Sequence, residues 1–209
     1  MEMKTLLSGN PLSCVRLLLA SILLVGIVTG GNLWIHSGDP PLGMARYTGF
    51  GFSIDHSSLM FVQEMGFAGG VATESTGMMQ GTYEGKSLEQ FGVIWFKPNQ
   101  LPSHYDISNQ DALLYIFEQI TSFGTVITNI GEEQETTVNG HDVHYVTFDL
   151  EESLIIPGVL GAWYCQESDM FMVLYLVYLP DLEQFELHSS ELENMWLDYL
   201  NTVNCHEST

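Results

Sequence analysis

The chain has 209 residues and a 45% hydrophobic content, enough for one domain of ordinary size with a real core and a short appendage. Five lysines and arginines face 26 aspartates and glutamates, a formal net charge of −21, which argues against a nucleic-acid partner or a role on an anionic membrane surface. So acidic a surface suits a salty environment or attraction of divalent cations; solvation is the favoured reading, because no carboxylate cluster has the alternating ligand pattern of an EF-hand loop.

Residues 17–35, LLLASILLVGIVTGGNLWI, carry no charge and follow Lys4 and Arg16, the only basic residues before Arg46. This run reads as a single transmembrane helix with a cytoplasmic N-terminus. It reads alternatively as a cleaved signal peptide with small residues at Val28-Thr29-Gly30. Either way, residues from about 39 onward lie outside the cytoplasm, on the cell membrane or secreted. The organisation expected is a cytoplasmic stub and anchor or signal peptide over 1–37, a linker over 38–46, and an extracytoplasmic domain over 47–209.

Within that domain, YTGFGFSID places Phe50, Phe52 and Ile54 at strand period. The segment from His56 to Ser75 is glycine-rich and ambiguous. TGMMQGTYEGKSLEQFGVIWFKP reads as a hairpin around Glu84-Gly85-Lys86, ended by Pro98. Ser108 with Asp111 is a capping-box variant opening a helix that carries Leu113, Phe117 and Ile120 on one face and closes at Gly124.

The strand-like runs TVITNI, ETTV and HDVHYVTFDL follow, the last two joined by Asn139-Gly140, a strong type I′ hairpin signal. GVLGAWYCQES and MFMVLYLVYLP form a further hairpin around Ser168-Asp169. The second run is so continuously apolar that it reads as a central strand, ended by Pro180. A final helix begins near Ser190, with Glu193 three residues on, and carries Leu192, Trp196, Tyr199, Leu200 and Val203 on one side. Strands, helix, strand meander and helix in that order predict an α+β fold: a mostly antiparallel β-sheet packed with α-helices.

The cysteine count follows from the compartment. Cys14 falls on the cytoplasmic or cleaved side, leaving Cys165 and Cys205 in an exported domain where disulfides persist. A Cys165–Cys205 disulfide is expected, worth roughly 4 kcal/mol for a loop of about 40 residues. It would pin the terminal helix to the sheet beside the central strand and stop the chain end from fraying. The alternative is two buried free thiols. A metal pair is disfavoured, because the only neighbouring donor in sequence is the adjacent His206.

The order of FGFSID, GVIWFKP, VNGHDVHYVTF, GAWYCQESDMFMVLYL and the closing helix that runs into NCH resembles the PsbP/Mog1-like fold, an α/β/α sandwich. Over about residues 48–206 it is most similar to a group of exported archaeal proteins of unknown function with that fold. The resemblance implies a non-catalytic binder of larger partners: PsbP proteins are accessory subunits that dock on photosystem II and help retain its ions, and Mog1 binds a small GTPase. Their binding residues find no match here.

The remaining candidates have weak signals. His141 and His144 lie three apart on one strand and so on opposite faces, which keeps them from sharing a metal unless a bulge intervenes. His206 reads as a helix C-terminal residue. Glu132, Glu133, Glu135, Glu151 and Glu152 sit beside predicted turns and read as solvated charges. Trp95, Trp163 and Trp196, with the methionines of GMMQG and MFMVL, are core candidates.

No nucleophile elbow, P-loop, H-E-x-x-H, C-x-x-C or G-x-G-x-x-G occurs, so no catalytic, cofactor or metal residue is assigned. The expectation is a membrane-anchored extracytoplasmic binding or accessory module with another envelope protein as partner. The alternatives are a metal-dependent or hydrolytic enzyme built from scattered carboxylates and histidines, and a low-affinity Ca²⁺ or ligand-binding domain. A deep pocket holding several such groups would favour the enzyme; a flat face with exposed aromatics would favour the binder.

Overall fold

The structure, a computed structural model, describes residues 42–67, 69–83, 89–151, 155–178 and 189–205. The expected anchor, the tip Glu84-Gly85-Lys86, Glu152, Pro180 and His206 lie outside the described residues.

The polypeptide begins with a hairpin, β1 (Met44–Gly49) and β2 (Phe52–Ser57). Strands β3 (Met60–Met65), β4 (Thr76–Tyr83) and β5 (Glu89–Phe96) precede helix α1 (Asn109–Ser122). Then come β6 (Val126–Thr128), β7 (Gln134–Val138), β8 (His141–Glu151), β9 (Ile155–Cys165), β10 (Met170–Tyr178) and helix α2 (Ser189–Leu200). The main sheet has eight strands in the order β3-β4-β5-β10-β9-β8-β6, with β7 also paired to β8, and every pairing is antiparallel.

The apolar run MFMVLYLVY takes the central position because it can be buried on both faces. Phe171, Val173 and Val177 face a core closed by Ala112, Leu113 and Ile116 of α1. Met170, Met172, Leu174 and Leu176 face the opposite core, closed by Leu192, Trp196 and Leu200 of α2 together with Phe52 and Ile54 of β2. Alternation along one strand thus feeds two cores, and the arrangement is α+β with helices on both sheet faces.

One expectation is corrected at the start. Phe50, Phe52 and Ile54 do not share a strand: Phe50 and Gly51 have φ of +52° and +82° and form the tight turn of the β1–β2 hairpin. Positive φ at both central turn residues matches the twist of the flanking strands. Met44, Ala45 and Arg46 belong to β1 rather than to an irregular linker. Phe50 is spent on stacking, its ring centroid 4.6 Å from that of Trp95. The ambiguous segment contains β3, which pairs with β4 at the sheet edge.

The other elements form where the sequence places them. The Ser108 hydroxyl accepts from the Asp111 amide at 3.0 Å and donates to the Asp111 carboxylate at 2.8 Å, closing the cap of α1. Gly124, at φ +88°, ends the helix. Asn139 and Gly140 adopt φ +48° and +83° in the β7–β8 turn. Trp95, Trp163 and Trp196 are all buried.

Helix α2 approaches the sheet closely because β9 has a glycine beneath it. A Cβ on Gly161 would lie 2.6 Å from Cη2 of Trp196 and 3.0 Å from the Cβ of Tyr145. Gly161→Ala is expected to push the indole off its seat and cost about 1–3 kcal/mol, measurable as a lower midpoint in urea unfolding. An unchanged midpoint would show that the helix floats above the sheet rather than resting on it.

Candidate functional site

Two places bring together chemistry that the sequence scatters. They lie on opposite faces of the sheet.

The first is a buried group of two thiols and an imidazole. Cys165 is the last residue of β9 and His141 the first of β8. The β8–β9 ladder pairs His144 with Ala162, and continuing that register by three residues sets His141 opposite Cys165. Both then point to the α2 face, the face of Val143, Tyr145 and Trp163. Cys205 arrives from the segment after α2. Its place is fixed by a β-bridge between Ser53 and Asn204, with backbone bonds of 2.7 and 2.9 Å, and by the Asn139 amide, which donates to the Val203 carbonyl at 2.6 Å.

Cys165 and Cys205 are therefore neighbours, both buried, but their sulfurs do not stand at disulfide distance, so the expected bridge is not formed in this structure. The Cys165 thiol donates to the Cys205 carbonyl at 3.3 Å, and Sγ of Cys205 lies 3.3 Å from Nε2 of His141. The two sulfurs and the imidazole nitrogen all lie within 4.8 Å of one another. The adjacent Cys165 thiol, then burial, push the Cys205 thiol far above its ordinary pKa. Such a group is a thiol rather than a reactive thiolate unless something replaces the proton. Two sulfurs and a nitrogen at this spacing can form a disulfide or hold a soft or borderline metal ion.

His144 occupies the other face, as its parity with His141 requires. Its Nδ1 lies 2.6 Å from Glu133 and its Nε2 3.9 Å from Glu135, while Gln110 of α1 donates to Glu133 at 2.9 Å. Glu133 is thus held in a surface network, and His141 and His144 do not converge. Glu132 and Glu151 stay at the surface.

The second place is apolar. Along the outer side of α1 and the edge strand β6, Leu114, Phe123, Val126 and Ile130 are each about half exposed, between 49% and 56%. Leu114, Phe117, Ile127 and Ile130 line a groove of about 440 Å³ with Tyr105 and Glu118 at its rim. Burial, then a hydrogen bond and the charge of Glu118, push the Tyr105 phenol up to about 12. Tyr105 is thus neutral at physiological pH, and the groove offers contact surface rather than an acid–base pair.

Sequence reasoning missed His141 as the third member of the thiol group because it lies 24 and 64 residues from the cysteines (165 − 141; 205 − 141). The signal was present in the Asn139-Gly140 turn, which fixes where β8 begins and so which residue meets the end of β9. The α1 surface left no pattern that sets it apart from a core-facing helix with a few spare apolar residues.

No protein-family profile matches the chain, and no curated protein matches it by sequence. Among solved structures it is similar to the cyanobacterial PsbP protein CyanoP of Synechocystis sp. PCC 6803. That solution structure superposes with a TM-score of 0.56 at 9% identity, over 83% of this chain and 99% of CyanoP. The fold is PsbP-like.

The β7–β8 turn is the link between sheet and chain end that can be tested alone. Asn139→Gly keeps the positive φ and loses the bond to Val203, costing about 1–2 kcal/mol. Asn139→Ala loses both and costs about 2–3 kcal/mol. Equal losses in urea unfolding would show that the side-chain bond, not the turn, is what Asn139 supplies.

Proposed function

We infer that the chain is an accessory module, anchored by residues 17–35 with its domain outside the cytoplasm, that docks on another envelope protein through the outer side of α1 and β6. The carrying observation is that Leu114, Phe123, Val126 and Ile130, four of the ten large exposed hydrophobics among the described residues of a strongly acidic chain, fall on α1, β6 and the segments that flank them, with Leu114 and Ile130 in one groove. The PsbP-like fold supports the same reading, since the PsbP resemblance implies an extrinsic subunit that docks on a larger assembly. Half-exposed aliphatics next to a groove match the buried centre of a protein interface, and surrounding carboxylates would suit a partner with basic residues at its rim.

An extracytoplasmic domain exposes the cysteine pair to oxidation, and the proposal includes a Cys165–Cys205 disulfide in the native protein. Its formation passes two electrons and two protons to an extracytoplasmic disulfide donor. Intact mass of material taken from native membranes should show one alkylation before reduction, at Cys14, and those of Cys165 and Cys205 only after it. Alkylation of Cys165 and Cys205 without reduction would overturn the compartment assignment.

Docking is tested by cross-linking the full chain in its native membranes. One envelope protein is expected in stoichiometric yield, and Leu114→Glu with Ile130→Glu should lower that yield at least about tenfold, the effect of losing contacts at an interface centre. Both positions are about half exposed, so the folded domain should keep its thermal midpoint within a few degrees. Undiminished cross-linking by a folded variant would sink the assignment of this face.

A further inference from the structure

The thiol–imidazole group has a geometry that a disulfide alone does not call for. A disulfide needs two sulfurs, yet His141 brings its Nε2 to 3.3 Å from Cys205. In a tetrahedral zinc site with Zn–S about 2.3 Å and Zn–N about 2.0–2.1 Å, two sulfurs stand about 3.8 Å apart and sulfur and nitrogen about 3.6 Å apart. The three donor atoms here lie within 4.8 Å of one another, so shifts of no more than about an ångström would place a common ion among them.

We propose that in the dithiol form of the protein His141, Cys165 and Cys205 bind one Zn²⁺ ion, with a fourth position left on the side where His141 reaches solvent.

Three features favour this ion. Two thiolates and a neutral imidazole balance a divalent charge, which matters where both sulfurs are buried. A monovalent soft ion would leave one uncompensated negative charge in the same place. The donors are also held before any metal arrives. His141 is fixed by the β7–β8 turn, Cys165 by the β9–β10 ladder through its pairing with Met170, and Cys205 by the bridge between Ser53 and Asn204. Donors set on strands and a bridged segment give up little further entropy on binding. Half-buried His141 provides the entry path.

Zinc binding and disulfide formation exclude each other, because both use the same two sulfurs. The inference therefore stands on the reduced protein and does not depend on the docking partner or on the oxidation state found in cells.

The test uses the full chain in detergent, reduced and stripped of metal, titrated anaerobically with Co²⁺ as a spectroscopic substitute for Zn²⁺. One equivalent should produce thiolate-to-cobalt charge transfer in the near ultraviolet together with the visible bands of tetrahedral cobalt, and Zn²⁺ should displace it. His141→Gln should weaken binding by at least about 100-fold, Cys165→Ser should remove about half or more of the charge-transfer intensity, and the oxidised chain should give neither band. A second readout needs no variant: one equivalent of Zn²⁺ should protect Cys165 and Cys205 of the unmodified chain, but not Cys14, from alkylation at a rate difference of tenfold or more. A reduced chain that gives no thiolate band, binding unaltered in folded His141→Gln, or alkylation indifferent to Zn²⁺ would each overturn the proposal.

Discussion

The seating of Trp196 on the sheet organises everything that follows it in the chain. Its ring lies over Gly161 where no side chain intervenes, stacks on Tyr145 at a centroid distance of 4.9 Å, and its indole N–H donates to the Leu174 carbonyl at 3.0 Å. A buried indole brings a large apolar area and one donor that must be satisfied, and here the central strand supplies the acceptor. With α2 fixed in this way, Thr202 lies close enough to accept from the Asp55 amide at 3.1 Å and Asn204 pairs with Ser53. Cys205 is then delivered to the end of β9. The thiol group is a consequence of helix docking, and a change that loosens Trp196 disperses it.

A domain with so few lysines and arginines cannot offset its carboxylates with ion pairs. Arg46 makes the strong one among the described residues, a two-pronged contact with buried Asp55 at 2.6 and 2.9 Å, directly across the β1–β2 ladder. Elsewhere tyrosine hydroxyls take the place of cations. Tyr47 donates to Glu64 at 3.0 Å, Tyr145 to Glu193 at 2.6 Å, Tyr164 to Asp169 at 2.6 Å and Tyr199 to Glu89 at 2.8 Å. Each phenol is held above its ordinary pKa. Burial is the largest cause for Tyr47, Tyr145 and Tyr199, and the hydrogen bond to Asp169 for Tyr164. A neutral donor on a charged acceptor gains more than a neutral pair without adding the opposite charge. This lets the protein stay strongly anionic while its carboxylates near the core are partnered.

The elements were legible where a local rule decides them. The Ser108 cap, the Asn139-Gly140 turn and the continuous apolar run of β10 each name their structure from a few adjacent residues. The opening segment was misread because GFGF satisfies alternation and a two-residue turn equally well, and only the pairing of Arg46 with Asp55 separates the two. Proximity of Cys165 to Cys205 could be reasoned from compartment and helix position. The arrival of His141 could not, since it depends on the register of β8 on β9, a non-local quantity that no single segment carries. Exposure of Leu114 and Ile130 is likewise a property of what does not pack on them.

The two candidate places share a wall without sharing a surface. His141 and His144 stand three residues apart on β8, and that odd step puts one with the thiols beneath α2 and the other with Glu133 beside α1. A partner seated on α1 and β6 would therefore cover neither the sulfurs nor the solvent side of His141. Between the two faces lie β9 and β10, close-packed on both sides, which leaves little room for an event at one face to move side chains at the other. The apolar groove and the thiol group are for that reason separable in this fold. A substitution that abolishes one while sparing the other follows from the strand's alternation rather than from any special design of either place.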